Sequence, residues 1–119
     1  MKKILIVDDE KNIRDILAKT LSFMGYEVVA ASGGVEGLNL FLKGSFDLVL
    51  TDLEMPGLDG WTLALRVKGK SPDTPVVLIT GSEKEAVMEK LSESSVDSVV
   101  FKPFVLEDIQ ETVQKMLPT

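Results

Sequence analysis

The sequence contains neither cysteine nor histidine. The lack of cysteine excludes disulfides and thiolate metal sites. The lack of histidine excludes Ser-His-Asp and Cys-His nucleophile systems, His-ligated zinc and a role as a phosphohistidine carrier. Any chemistry of this chain must therefore come from carboxylates, hydroxyls, lysine and the backbone.

Long hydrophobic runs are also missing. The longest uninterrupted apolar segments, at 4–7 and 76–79, have the length of a strand, whereas a membrane helix needs about 20 apolar residues. The N-terminal run is too short for the hydrophobic region of a signal peptide. We therefore expect a cytoplasmic protein without membrane contact. The net charge of −6, with Lys and Arg dispersed, argues against nucleic acid as a direct partner.

Short apolar segments alternate with helix-length segments along all 119 residues. This length and pattern predict a single domain over 1–119, with no effector domain visible. Most of the predicted strands are almost continuously apolar, which is typical of parallel strands covered on both faces. The five predicted strands are 4–7, 27–30, 47–51, 76–79 and 98–101.

Apolar residues at helical spacing predict a helix after each strand. Ser82 and Glu85 have the spacing of a capping box, which is expected to open the fourth helix. Five βα units with right-handed crossovers predict a doubly wound parallel sheet with helices on both faces, in either the flavodoxin-like order 2-1-3-4-5 or a Rossmann-like order. The apolar stripes of helices one, two and five comprise Ile13, Ile16, Leu17 and Leu21; Leu38, Phe41 and Leu42; and Val105, Ile109, Val113 and Met116.

The turn after the first predicted strand contains no glycine. Its sequence is Asp8-Asp9-Glu10-Lys11-Asn12. Rossmann and P-loop sites need a glycine-rich turn there, so that the backbone approaches a phosphate closely. The acidic side chains would repel such a phosphate, and dinucleotide binding is excluded.

Acidic residues follow two strands that the 2-1-3-4-5 order places side by side. Asp8 and Asp9 follow strand one, and Asp52 follows strand three. Ligands in such sheets bind at the carboxyl ends of the strands, where the winding direction reverses. Three carboxylates held together there need a cation, and Mg²⁺ suits a site of carboxylates, water and a substrate phosphate.

The remaining strand ends supply a hydroxyl and a cation. Strand four ends at Thr80, and strand five is followed by Lys102. Phosphoryl transfer requires mainly positioning and charge stabilisation, which a carboxylate nucleophile, a metal, a hydroxyl and a lysine together provide.

Four segments of the sequence resemble the signature segments of response-regulator receiver domains, which have the flavodoxin-like order. They are Ile6-Val7-Asp8-Asp9-Glu10, 50–60 around Asp52, Ile79-Thr80-Gly81 and Phe101-Lys102-Pro103-Phe104. The resemblance covers essentially the whole chain. It implies a phosphorylation-dependent switch of a two-component system, which is regulatory and catalyses only its own phosphorylation and dephosphorylation.

The resemblance also implies the metal site and the phosphoacceptor. Asp52 would accept the phosphoryl group from a histidine kinase or a histidine phosphotransfer protein. Asp8 or Asp9, with Asp9 the closer ligand, would hold Mg²⁺ together with Asp52 and the backbone carbonyl of Glu54.

Further roles implied by the resemblance belong to phosphoryl binding and switching. Thr80, Gly81 and Lys102 would bind phosphoryl oxygens, Thr80 would also act as a switch residue, and the Lys102–Pro103 bond would be cis. The signal would pass through the surface of helix four, strand five and helix five to an output partner or to a second copy.

The chain departs from the family at Val99, where receivers usually carry an inward-turning aromatic residue. Phe101 lies on the same face of the strand by period-two alternation and is the candidate substitute. Val87, Met88 and Val99 are expected to form an apolar spot on the output surface.

Two alternative functions follow from these observations. The missing aromatic favours a degenerate receiver that acts as a constitutive interaction module. A haloacid-dehalogenase-like phosphatase would need a DxD motif after strand one, which Asp8-Asp9-Glu10 lacks.

Overall fold

Five strands and five helices alternate along the chain, and each strand is followed by a helix. The structure is a computed structural model that describes residues 1–118. The elements are β1 Lys3–Val7, α1 Lys11–Phe23, β2 Glu27–Ala31, α2 Gly34–Lys43, β3 Leu48–Asp52, α3 Gly60–Lys70, β4 Val76–Thr80, α4 Lys84–Leu91, β5 Ser98–Phe101 and α5 Leu106–Met116.

All strand pairs are parallel, and the strand order is β2-β1-β3-β4-β5. The flavodoxin-like order is therefore correct and the Rossmann-like order is not. In the register of the sheet, Val7 pairs with Thr51, and Thr80 pairs with Phe101. The carboxyl ends of β1, β3, β4 and β5 consequently lie along one edge of the sheet.

The sheet separates two hydrophobic clusters, because successive side chains of a strand point to opposite faces. We call the cluster under α2, α3 and α4 the α3-side cluster; it contains Leu78 and the buried Leu63 of α3. We call the cluster under α1 and α5 the α5-side cluster; it contains Ile79 and the buried Ile109 of α5. Helices thus cover both faces, as predicted.

Several predicted details of the helices are wrong. α4 begins at Lys84, and within residues 1–118 its first turn has no side-chain cap, so the predicted capping box of Ser82 and Glu85 is wrong. Three members of the predicted apolar stripes, Ile16, Leu42 and Val105, are exposed rather than buried. No helix within residues 1–118 has the length and apolar character required to cross a bilayer.

Lys70 connects the end of α3 to the end of α2. Its Nζ donates to the backbone carbonyls of Phe41 at 2.8 Å, Leu42 at 2.9 Å and Gly44 at 3.2 Å. These carbonyls lie at the C-terminus of α2, where they lack partners within the helix and carry the negative end of its dipole.

We expect Lys70→Met to lower the free energy of unfolding by about 1–2 kcal/mol, because methionine keeps the aliphatic packing and removes the charged donor. Urea unfolding compared with the exposed Lys19→Met variant would measure this loss. Equal stability of the two variants would contradict a stabilising role for the Lys70 contacts.

Candidate functional site

The carboxyl edge of the sheet brings three carboxylates together. Asp8 directly follows β1, and Asp52 is the last residue of β3; both are buried, whereas the adjacent Asp9 is exposed. One carboxylate oxygen from each of the three lies within 4.8 Å of the others. The predicted convergence of these residues is therefore present.

Gly60 allows α3 to begin directly beside Asp52. A Cβ atom at Gly60 would lie 2.6 Å from the backbone oxygen of Asp52, closer than any side chain tolerates. The Gly60 N–H also donates to the Leu53 carbonyl at 2.9 Å. The start of α3 thereby fixes the backbone that carries the Asp52 carboxylate.

Asp8 offers an oxygen that lacks a partner. Its Oδ1 accepts a hydrogen bond from the backbone N–H of Glu10 at 2.8 Å, and its backbone oxygen accepts one from Arg14 Nη1 at 2.8 Å. Its Oδ2 is buried and has no hydrogen-bond partner among residues 1–118. A buried carboxylate oxygen without a donor is unfavourable unless a cation binds it. This oxygen, within a set of three carboxylates, fits a hard divalent ion such as Mg²⁺.

Burial raises the pKa values of both buried carboxyls, and repulsion by nearby carboxylates adds to it. Burial, followed by the charge of Asp8, raises the pKa of Asp52 from 3.8 to about 6, against the opposing effect of Lys102. Burial likewise raises the pKa of Asp8, although the hydrogen bond from Glu10 opposes this. The site therefore disfavours negative charge when it contains no cation.

Lys102 is the cation nearest to Asp52. Its Nζ lies 3.3 Å from Asp52 Oδ1 and 3.9 Å from Glu10 Oε1. Burial opposes its charge, but the carboxylates of Asp52, Asp8 and Glu10 together outweigh this effect and raise the pKa of Lys102. Its backbone N–H donates to the Thr80 carbonyl at 2.7 Å, and its peptide bond to Pro103 is cis, as predicted.

The Thr80 hydroxyl lies at the same edge but bonds to Glu54 rather than to Asp52. Thr80 Oγ1 donates to Glu54 Oε1 at 3.1 Å and accepts from the Ser82 N–H at 2.9 Å. Ser82 Oγ donates to the other carboxylate oxygen, Glu54 Oε2. Gly81, between them, is exposed and lies close to the Lys102 side chain.

The sequence did not predict that the Glu54 side chain contacts Thr80 and Ser82, because the role assigned to Glu54 in the metal site was that of its backbone carbonyl. The spacing offered a signal: Glu54 lies two residues after Asp52, and Ser82 two residues after Thr80. Residues that follow the ends of two neighbouring parallel strands by the same number of positions are expected to lie near each other.

The two candidate switch residues of β5 share a face, as predicted. Val99 and Phe101 are partly buried and both pack against the α3-side cluster, and Lys84 Nζ lies 5.7 Å from the centre of the Phe101 ring. The expected apolar spot is smaller than predicted, because Val87 is buried in that cluster. Met88, which is 48% exposed, and Val99 remain.

The sequence of this chain is similar to those of known receiver domains. The model of the family described as the response regulator receiver domain matches residues 4–114. The chain belongs to the response regulator receiver domain family.

Solved structures of receiver domains superpose closely on this one. The response regulator TrrA of Thermotoga maritima, crystallised in complex with Mg²⁺ and BeF, is 39% identical, with a TM-score of 0.89 over 98% of this chain and 100% of that one. The chemotaxis response regulator CheY4 of Vibrio cholerae is 30% identical, with a TM-score of 0.90 over 98% of this chain and 99% of that one.

Curated relatives contain this receiver domain as a part of longer proteins. The probable transcriptional regulator ycf27 of Cyanidium caldarium is 38% identical over 116 residues, which are 96% of this chain and 45% of that protein. The sensor histidine kinase RcsC of Escherichia coli is 36% identical over 110 residues, which are 92% of this chain and 12% of that protein. The receiver domain described here thus spans less than half the length of either relative.

Proposed function

We propose that this receiver domain is a phosphorylation-dependent switch that accepts a phosphoryl group on Asp52 in the presence of Mg²⁺. One observation carries the proposal: oxygens of Asp8, Asp9 and Asp52 lie within 4.8 Å of one another, with Lys102 Nζ 3.3 Å from Asp52 Oδ1. This arrangement combines a carboxylate nucleophile, a cation site and a lysine. It suits the transfer of a phosphoryl group, whose charge is distributed over several oxygens.

In the proposed transfer, a carboxylate oxygen of Asp52 attacks the phosphorus of a phosphohistidine on a histidine kinase or a histidine phosphotransfer protein. The new P–O bond forms as the P–N bond breaks, and the electron pair of the P–N bond remains on the imidazole nitrogen. Lys102 Nζ, the Thr80 hydroxyl and the Gly81 N–H would then donate to phosphoryl oxygens and stabilise their negative charge.

The metal would be held by Asp8 or Asp9, with Asp9 the closer ligand, together with Asp52 and the backbone carbonyl of Glu54. When bound, Mg²⁺ would offset the charge of the carboxylates and of the incoming phosphoryl group. Asp8 Oδ2, which is buried and without a hydrogen-bond partner among residues 1–118, supports Asp8 as one of the ligands.

The phosphoryl donor has an apolar surface available beside Lys102. A groove of about 480 Å³ runs between α1 and the loop before α5, and exposed Ile16 and Val105 contribute to it. We propose that a histidine kinase or phosphotransfer protein docks there, because this surface adjoins the Lys102–Asp52 pair.

The output surface is proposed to be the one formed by α4, β5 and α5. Met88 and Val99 supply apolar area there, and the β5 edge of the sheet is unpaired within residues 1–118. An output protein or a second copy of this chain would bind at this surface. We further propose that residues 1–119 form one receiver domain.

Incubation with acetyl phosphate tests the proposal. We expect intact-mass spectrometry to detect one added phosphoryl group with Mg²⁺ and none with EDTA, because the carboxylate cluster needs a cation before it tolerates another anion. Rapid hydrolysis of the adduct could hide the added mass. Calorimetric measurement of beryllofluoride binding serves as the control for this. A chain that neither gains mass nor binds beryllofluoride would contradict the proposal.

Such a negative result would favour the second candidate, a constitutive interaction module. Val99 is the observation behind it, because the β5 position that usually carries the aromatic switch holds a smaller aliphatic side chain here. In that case, partner binding would be independent of phosphorylation.

A further inference from the structure

The side chain of Glu54 connects two loops at the phosphoacceptor edge. Glu54 lies in the loop between β3 and α3, while Thr80 and Ser82 belong to the end of β4 and the loop before α4. Its two carboxylate oxygens accept from the two hydroxyls, Oε1 from Thr80 and Oε2 from Ser82. Both hydroxyls are therefore bonded to Glu54 rather than to Asp52.

A hydroxyl has one proton to donate. The Thr80 hydroxyl donates this proton to Glu54, and Thr80 Oγ1 already accepts a hydrogen bond from the N–H of Ser82 at 2.9 Å. Thr80 can donate to a phosphoryl oxygen on Asp52 only after it releases Glu54. The Glu54 carboxylate and the phosphoryl group are thus two anionic acceptors that compete for the same proton.

We infer that Glu54 is a positioning residue that holds Thr80 and the loop before α4 in their unphosphorylated arrangement. This inference rests on the proposed function, since it assumes that Asp52 accepts the phosphoryl group. According to this inference, the Glu54 side chain disfavours the arrangement that Thr80 and the loop adopt when Asp52 is phosphorylated.

The same contact explains why the capping box is not formed. The Ser82 hydroxyl bonds to Glu54, and α4 begins only at Lys84, with Glu83 in a non-helical conformation (φ −57°, ψ 127°) before it. Once Glu54 is released, Ser82 is free to accept the N–H of Glu85, three residues later. Release of Glu54 therefore extends α4 toward its N-terminus.

Beryllofluoride affinity at saturating Mg²⁺ tests the inference. We expect Glu54→Ala to bind this phosphoryl mimic about fivefold to tenfold more tightly than the unaltered chain, the factor that the net contribution of one typical hydrogen bond represents. The substitution leaves the backbone carbonyl of residue 54 in place. Glu83→Ala is the matched control, because it removes an exposed carboxylate from the loop before α4 that is not bonded to Thr80.

The Glu54 side chain could weaken binding of the mimic either by holding the Thr80 hydroxyl or by simple charge repulsion. A double-mutant cycle separates these two effects. If Glu54 acts by holding the Thr80 hydroxyl, Glu54→Ala produces no gain in affinity when Thr80 is already replaced by valine. An equal gain in both backgrounds would assign the effect to repulsion between anions and overturn the inference. Unchanged or weaker affinity of the Glu54→Ala single variant would overturn it as well.

Amide hydrogen exchange without any phosphoryl mimic supplies a readout that does not depend on the proposed function. We expect Glu54→Ala to accelerate exchange at Ser82, whose N–H is bonded to the held Thr80 hydroxyl. If the unaltered chain fails to bind beryllofluoride, the proposed function fails. The exchange measurement still decides whether Glu54 restrains Thr80 and the loop before α4. Unchanged exchange at Ser82 would show that Glu54 does not restrain the loop.

Discussion

Asp52→Asn is expected to abolish the Mg²⁺-dependent phosphoryl adduct while the chain still folds. Asparagine has the shape of aspartate, but it lacks the carboxylate oxygen that we propose attacks phosphorus and the negative charge that we propose helps to hold the cation. Intact-mass spectrometry after incubation with acetyl phosphate would measure the loss. Asp52 is the last residue of a buried strand, so a circular dichroism spectrum should accompany the measurement.

Asp73→Asn is the matched control for this variant. Asp73 is exposed in the loop between α3 and β4, away from the carboxyl edge. It should gain one phosphoryl group as the unaltered chain does. Persistent phosphorylation of a folded Asp52→Asn protein would assign the phosphoacceptor to another residue, whereas loss in both variants would point to a general defect.

The second large effect concerns pH and metal. From Asp52 alone, we expect the metal-free protein to be about 1.4 kcal/mol more stable near pH 5 than near pH 7.5. The pKa of Asp52 in the folded chain is about 6, above its ordinary value of 3.8. The folded state therefore binds a proton more tightly than the unfolded state, and stability falls as pH rises through this window. The raised pKa of Asp8 acts in the same direction.

Urea unfolding in EDTA at the two pH values would measure this difference. Adding Mg²⁺ near pH 7.5 should restore stability, because a cation that binds only the folded state favours it. Asp52→Asn should remove most of the pH dependence, and Asp73→Asn should keep it. A pH dependence that survives in Asp52→Asn would locate the responsible carboxyls elsewhere.

The alternating parallel βα units could be predicted from the sequence because their signals are local and repeated, whereas the choice of the order 2-1-3-4-5 over a Rossmann-like order came from the family resemblance. β1 and β4 are almost continuously apolar, as strands buried on both faces must be, and strictly alternating helices leave few allowed topologies. The convergence of Asp8, Asp52, Thr80 and Lys102 followed from the same rule, since the ends of neighbouring parallel strands share an edge.

The errors arose where a local pattern competed with a contact from a distant segment. Ser82 and Glu85 have the spacing of a capping box, yet Ser82 bonds to Glu54, which is 28 residues away in sequence. Ile16 fits the apolar stripe of α1 but lines the groove beside Lys102. Periodicity gives the direction of a side chain around its helix, but it does not indicate where the covering layer ends.

The sheet also divides the molecule into two halves that can vary independently. Phe101 and Val100 are adjacent in sequence, yet one packs with the α3-side cluster and the other with the α5-side cluster. Substitutions on opposite sides of the sheet share few neighbours, and their effects on stability should nearly add. If the phosphoryl donor docks beside α1 as we propose, the α1 and α5 layer could be redesigned for a new donor without changing Thr80 and the loop that follows it, so that donor specificity and response would be separable properties for protein engineering.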